Sequence, residues 1–540
     1  MPITKSPQLY ILLLSAWALL LVPLVWAMFV EVHRSLPESD HLVLIPIIIL
    51  NGLFIAYFWL NGVKDVVYIL FHYLLSPRAT PSALVPVSGR QRSGTNVVLL
   101  YCTCDDFNEA SLAACLDQSH EDTFLVILDD SETEPMKARV DAFATSHGAE
   151  VIRRDNRIGY KAGNLNHGLE ILSSMYDFFV ILDSDEIVPR TFVERTLDYM
   201  DYYPNAGVVQ ATHVATRNMT AFQKLYARGV DSHWPVYQSV KDGFGFMSLL
   251  GHGAIIRREA YEAAGGFPHL VAEDLCIALE MREHGWFVAF ADDVICEEEY
   301  PPDFSAFKKR HARWTSGNME FILRYTPRLL RSKALTWFEK LDIVLFTYNL
   351  PLTAFFAFYI VLNVIVFPLL GFSLRFPLWM LAPTLLFLFA PMGNDIIYYA
   401  KNTAVRTLIW YSLNTFVLYG AMFFVSLYAS FRGLLGAKAV FIVTPREAEK
   451  VRLREAITMN YRELGFATIL IGVATLTTGS PLAVGMIALP SILSVYLTMM
   501  TAERKTRPVY AGRHKKATRL VGWEEFLEQP QLADPAMANV

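Results

Sequence analysis

Long uncharged apolar runs on both sides of a more polar middle set the terms on which this 540-residue chain can fold. Leu9–Val30 and Leu42–Gly62 are each long enough, as helices, to cross about 30 Å of hydrocarbon. Four more apolar runs follow the middle block: Ile343–Leu370, Pro377–Ile397, Thr407–Phe431 and Leu464–Ala502. The first run is too long for a signal peptide and lacks a small-residue cleavage site. Composition agrees, with 53% hydrophobic residues, and a net charge of only −5 argues against nucleic acid or any strongly charged partner.

Charge placement orients these runs. Arg78, Arg90 and Arg92 in the Pro/Ser linker put that linker, the N-terminus and the middle block on the cytoplasmic side. Leu464–Ala502, broken by Gly479-Ser480-Pro481, reads as a helical hairpin. Thr407–Phe431 is ambiguous. If it spans, the basic tail from Arg504 to Arg519 lies outside; if it lies in the interface or re-enters, the tail stays inside with Arg432, Lys438, Arg446 and Lys450. Charge bias favours the second arrangement, hence six spans in a plasma or inner membrane with both termini cytoplasmic. All five cysteines (Cys102, Cys104, Cys115, Cys276, Cys296) fall in the middle block, as expected of a reduced compartment with no disulfide framework. Cys102 and Cys104 read as small residues on one face of a buried strand rather than as half of a metal site.

The expected division has an N-terminal span pair (1–75), a linker (76–94), a cytosolic α/β domain (95–302) and amphipathic interfacial helices (303–342). Beyond these come a span pair (343–400), an interfacial or re-entrant helix (401–435), a loop segment (436–462), a hairpin (463–502) and a basic tail (503–540).

Within the middle block, apolar runs alternate with amphipathic stretches, the pattern of an α/β sheet. Asn96–Cys104, Thr123–Leu128, Ala149–Ile152 and Phe178–Leu182 read as strands; Ser111–Leu116, Pro135–His147, Leu165–Ser173 and Phe192–Tyr202 read as the helices between them. Ligands of such sheets sit beyond the carboxyl ends of the strands. Asp106, Asp129, Asp130, Asp183 and Asp185 each follow a strand, so a single carboxylate-lined pocket accounts for them most simply.

Each motif suits a step of group transfer. Asp183-Ser-Asp185 extends an apolar strand, and both carboxylates can hold Mg²⁺ or Mn²⁺ against phosphate oxygens. Lys161-Ala-Gly-Asn-Leu-Asn166 opens a helix after Gly159, where an ammonium and backbone N–H groups suit a diphosphate. Asp274, after Glu273 at a helix start, is the candidate general base. Arg310, Arg313 and Trp314 share one helix face: two guanidiniums for a pyrophosphate and an indole as a platform for a sugar. The following Arg324, Arg328, Arg331 and Lys333 read as a lipid-surface anchor.

These motifs resemble those of the family-2 membrane glycosyltransferases, the group of cellulose, chitin and hyaluronan synthases, from about Asn96 to about Arg446. The resemblance implies a GT-A catalytic domain inserted between transmembrane helices. Asn108-Glu109 looks like the end of its first strand motif, Asp129-Asp130 like its uridine-contacting pair, and Asp183-Ser-Asp185 like its metal motif. Glu273-Asp274 resembles the end of its base motif. Phe441-Ile-Val-Thr444-Pro-Arg446 resembles a gating loop that closes over bound nucleotide. Three departures stand out: Ala272 for Thr, Arg446 for Lys, and Arg310 for Gln. With Gly251-His252-Gly253, the last is closer to osmoregulated periplasmic glucan synthases and ceramide glucosyltransferases. The expectation is therefore a processive inverting transferase that polymerises a UDP-sugar, UDP-glucose first, and extrudes a β-linked polysaccharide through the bilayer. Single-sugar transfer to a lipid is the second reading. A transporter with a nucleotide-sensing domain is a remote third, disfavoured by the scarcity of charges inside the spans.

Overall fold

The computed structural model describes residues 5–35, 41–75, 81–89, 92–172, 175–216, 219–372, 374–440 and 451–500. Thr444, Arg446 and the basic tail lie outside the described residues.

The middle block folds around one eight-stranded sheet. Its strands are β1 (Val97–Thr103), β2 (Thr123–Asp129), β3 (Glu150–Ile152), β4 (Phe178–Leu182), β5 (Glu186–Ile187), β6 (Ala206–Ala215), β7 (Ala254–Arg257) and β8 (Phe287–Glu298). Continuous apolar runs such as Phe178-Phe-Val-Ile-Leu182, buried along their whole length, are what a sheet covered on both faces requires. Alternation on β1 sends Val98 and Leu100 into the core under one face and Val97, Leu99 and Tyr101 into the core under the other.

The spatial order is β3-β2-β1-β4-β7-β6-β8-β5. β1 pairs in parallel with β2 and β4, β2 with β3, and β6 with β8. β7 runs antiparallel to both β4 and β6. The carboxyl ends of β1, β2, β4 and β8 therefore meet at one edge of the sheet, and the start of β7 joins them there. The strand and helix expectations over 96–202 agree with the structure to within a few residues, except that the helix carrying Lys161 starts earlier, at Tyr160.

Among the described residues, five helical runs are long and apolar enough to cross a membrane: Gln8–Arg34, Leu44–Leu74, Leu378–Tyr399, Val405–Leu434 and Pro481–Met500. The chain is a multi-pass membrane protein. The count and placement differ from the expected six. Ile343–Leu370 is not one helix: Trp337–Thr347 ends near Pro351, whose ring and missing N–H break the ladder, and the apolar helix beyond it, Thr353–Leu369, is shorter than a span. Val405–Leu434, expected in the interface, has the length and composition of a span.

Spans and middle block share a core. Trp59, Val63 and Tyr68 pack with Val236, Tyr237 and Val240 of the block in one apolar cluster. Fully buried Asp342 accepts from the Tyr68 hydroxyl at 2.6 Å and the Phe246 N–H at 2.8 Å. Asp395 accepts from the Ser232 hydroxyl at 2.5 Å and the Tyr411 hydroxyl at 2.6 Å.

Two of the four basic residues in the stretch expected to anchor the chain on lipid, Arg324 and Arg328, pair with acids of the protein. Arg328 binds Glu280 and, at 2.7 Å, Glu283 on the Glu273–Glu283 helix, and Arg324 reaches Glu320 at 3.3 Å.

Candidate active site

A cleft of about 290 Å³ opens at the edge where the strand ends meet. Asp183 caps β4, and Ser184 and Asp185 continue into the cleft wall. Lys161, from the first turn of the Tyr160–Leu172 helix, pairs with Asp183 Oδ1 and donates to the Gly251 carbonyl at 2.8 Å. Burial pushes the Asp183 carboxyl up, but Lys161, His252 and Arg313 outweigh it and hold it well below the usual carboxylate range. Gly163 lets this helix start so close to the preceding turn: a Cβ there would stand 1.9 Å from the Ile158 carbonyl oxygen.

Opposite, Glu273 and Asp274 occupy the first turn of the Glu273–Glu283 helix and both line the cleft. Asp274 Oδ1 accepts the Leu275 N–H at 2.7 Å. Burial first, and then the neighbouring Asp274 charge, raises the Glu273 carboxyl; burial likewise raises Asp274. Two carboxyls this close share their protons, and the pair titrates above the ordinary carboxylate range.

The third wall is the Phe304–Arg331 helix, started by Asp303, whose side chain accepts the Ala306 N–H at 2.8 Å. Arg310, Arg313 and Trp314 all line the cleft from it. Arg310 pairs with Glu298 at 2.8 Å and lies over the Trp314 ring, 4.7 Å from its centroid.

Asp130 lines the cleft, while Asp129 does not. Arg154 grips Asp130 with two hydrogen bonds, 2.8 and 2.6 Å, and Arg153 holds Asp129 at 2.7 Å. Asn108 and Glu109 are not brought to the cleft. Asn108 instead caps the Glu109–Cys115 helix by accepting the Ser111 N–H, and Glu109 is exposed on its first turn. Asp106 takes the place at the end of β1, accepting from the Cys104 N–H at 2.8 Å and the Ser184 hydroxyl at 2.5 Å.

Two cleft-lining residues, His252 and Glu298, were not among the site residues expected from the sequence. His252 lines the cleft just ahead of β7, because that strand runs backwards and presents its start to the site. Glu186 contacts the His252 ring at 3.0 Å and His213 at 3.0 Å. Burial works against a charged imidazole at His252, but Glu186, Asp183 and Glu298 outweigh it and push the ring up to about 10. The turn needs glycine at 253: φ is +59°, and a Cβ would stand 2.3 Å from both Glu186 Oε1 and His213 Nε2. Glu298 ends β8 and reaches the cleft as Asp183 does from β4. The acidic triplet Glu297-Glu298-Glu299 after an apolar run was the signal for it.

An α/β domain packed against apolar helices gathers acids, a lysine, two arginines and a tryptophan around one cleft. Residues 178–391, the segment holding Asp183, His252, Asp274, Arg313 and Trp314, match the model of glycosyl transferase family group 2. The chain is similar to "Probable glucomannan 4-beta-mannosyltransferase 11" of Arabidopsis thaliana, 30% identical over 199 residues, 36% of this chain and 44% of that one. It is also similar to "Probable glucomannan 4-beta-mannosyltransferase 4" of Oryza sativa subsp. japonica, 28% identical over 248 residues, 43% and 44% of the two chains. The matches thus span less than half the length of these relatives. Among solved structures, a mannosyltransferase from Pyrobaculum calidifontis in complex with GDP-Man and Mn²⁺ aligns at 17% identity and a TM-score of 0.41, over 71% of this chain and 99% of that one.

Proposed function

We propose that this chain is an inverting membrane glycosyltransferase that moves a hexose from a nucleoside diphosphate onto the end of a growing β-linked polysaccharide. One observation carries the reading: Lys161, Asp183, Asp185, Asp274, Arg313 and Trp314, dispersed over more than 150 residues of sequence, line a single cleft. Asp274 takes the proton of the acceptor hydroxyl, whose oxygen attacks the anomeric carbon as the bond from that carbon to the diphosphate oxygen breaks. Lys161 and Arg313 meet the charge left on the nucleoside diphosphate. Asp183 is ionised and Asp185 stands beside it, an oxygen donor set that fits a hard cation, so these two would hold Mg²⁺ or Mn²⁺. Such an ion would supply positive charge to the diphosphate. Trp314 offers its ring face to the acceptor sugar. Catalysis on the cytoplasmic face of the plasma or inner membrane, with extrusion of the product between the spans, completes the proposal.

The motif reading favours UDP-glucose as donor. The names of the two plant relatives favour a mannosyl donor and a 4-β-linkage instead. Purified protein in liposomes, given Mg²⁺ or Mn²⁺ with radiolabelled UDP-glucose or GDP-mannose in turn, separates them. A ladder of long products from one donor, cut by a linkage-specific glycanase, is the expected result. A single lipid-soluble product refutes polymer synthesis, and no transfer from any nucleotide sugar refutes the reading as a whole.

A further inference from the structure

Arg310 and Arg313 lie one turn apart on the same helix, yet their surroundings differ. Arg310 Nη2 donates to Glu298 Oε1 at 2.8 Å, and the two side chains are only 17% and 7% exposed. The guanidinium also covers one face of Trp314, its central carbon 4.7 Å from the ring centroid, while Trp314 as a whole stays 37% exposed. Arg310 is thus occupied twice, by a carboxylate and by an indole. Asp185 acts on both arginines, but Arg313, beyond burial and the Arg310 charge, also feels Asp183 and Glu273 at the diphosphate end of the cleft, whereas the strongest influence on Arg310 after burial is Glu298. Glu298 is steadied from its other side by His252, whose Nε2 lies 3.8 Å from Oε2, and Glu186 in turn holds the His252 ring at 3.0 Å.

We propose that Glu298 is a positioning residue for the acceptor: it locks Arg310 beneath Trp314, so that the indole presents a fixed platform to the apolar face of a neutral sugar, and Arg310 takes no part in gripping the diphosphate. This rests on the glycosyltransferase reading above and takes Arg310 out of the pair of guanidiniums expected from the sequence to bind the pyrophosphate. An arginine paired to a carboxylate offers no counter-charge to an acidic sugar, so the platform selects for neutral pyranoses. The cation–π contact on one ring face fixes the indole's orientation and leaves its other face open to a sugar.

Calorimetric titration of the full-length chain in detergent tests it, with UDP or GDP plus Mn²⁺ as one probe and a neutral β-linked oligosaccharide as the other. In Glu298→Gln and in Arg310→Gln, oligosaccharide affinity should fall about tenfold, the size of one cation–π or stacking contribution, with nucleotide affinity unchanged within about twofold. Arg313→Gln should show the reverse. Glu298→Gln alone leaves a buried guanidinium unpaired and can cost folding, so the double variant Glu298→Gln/Arg310→Gln, with two amides in place of two charges, serves as the control for stability. It must melt like the parent protein and still lose the oligosaccharide. Weakened nucleotide binding with intact oligosaccharide binding in Arg310→Gln overturns the proposal. A parent protein that binds neither UDP nor GDP refutes the glycosyltransferase reading itself, a result separate from the other.

Discussion

Asp274 sits where two influences oppose each other: the helix N-terminus favours its charge, and burial resists it. Burial wins, and the adjoining Glu273 is raised with it. A base must be deprotonated to work, so activity should rise with pH along a limb displaced above the ordinary carboxylate value of about 4. A kcat–pH profile at saturating donor measures this, and a limb at the ordinary value would refute the assignment. Asp274→Asn should lower kcat by about a thousandfold, with nucleotide affinity retained in a binding assay. At this scale the acids that follow β2 and β4 were readable in the chain, because a carboxylate ending an apolar strand falls at the edge of the sheet where ligands bind. Asn108 and Glu109 lie at the start of a helix away from the cleft, and a helix cap looks the same in sequence as a binding residue. His252 was not legible as a site residue because it precedes its strand, and only the antiparallel course of β7 brings it in.

The strands with unbroken apolar runs could be drawn from the sequence, whereas β6 and β8 could not. β6 buries Gln210 and His213, and β8 is interrupted by Asp292 and Asp293, where the register between the two strands shifts. Those two acids leave the sheet for partners elsewhere: Asp292 accepts the Ser82 N–H at 2.7 Å, and Asp293 pairs with Arg195 at 2.7 Å. The helix that carries Asp274 is fixed along its length by other elements. Arg328 holds Glu280 and Glu283, and Arg282 reaches Glu339 on the Trp337–Thr347 helix at 3.2 Å. Arg328→Ala should therefore blunt kcat more than it lowers stability. The guanidinium is 43% exposed, so solvent screens the pair and its loss costs about 1 kcal/mol or less. Thermal melting beside initial rates checks this, and equal loss of both would mean that the clamp serves stability alone.

Across the whole molecule, the apolar runs announced a membrane protein, but the arrangement of its spans depended on features that hydropathy does not report. Pro351 divides one run, and the run judged interfacial by its flanking charges has the length of a span. The junction between block and spans is held by buried carboxylates as well as by apolar packing. Asp395→Ala would leave the Ser232 and Tyr411 hydroxyls without their acceptor at a cost of about 1–3 kcal/mol, read as a lower melting temperature in detergent. An unchanged melt would mean that the pairing is idle. The common cluster of Trp59, Val63 and Tyr68 with Val236, Tyr237 and Val240 reaches further. A protein built this way has no seam at which its chemistry can be cut free of its anchor. Removing the first two spans would strip the floor from beneath the catalytic block and leave a sticky, aggregating fragment in place of a soluble enzyme. The spans here do the work that a second half of the core does in a protein made for water.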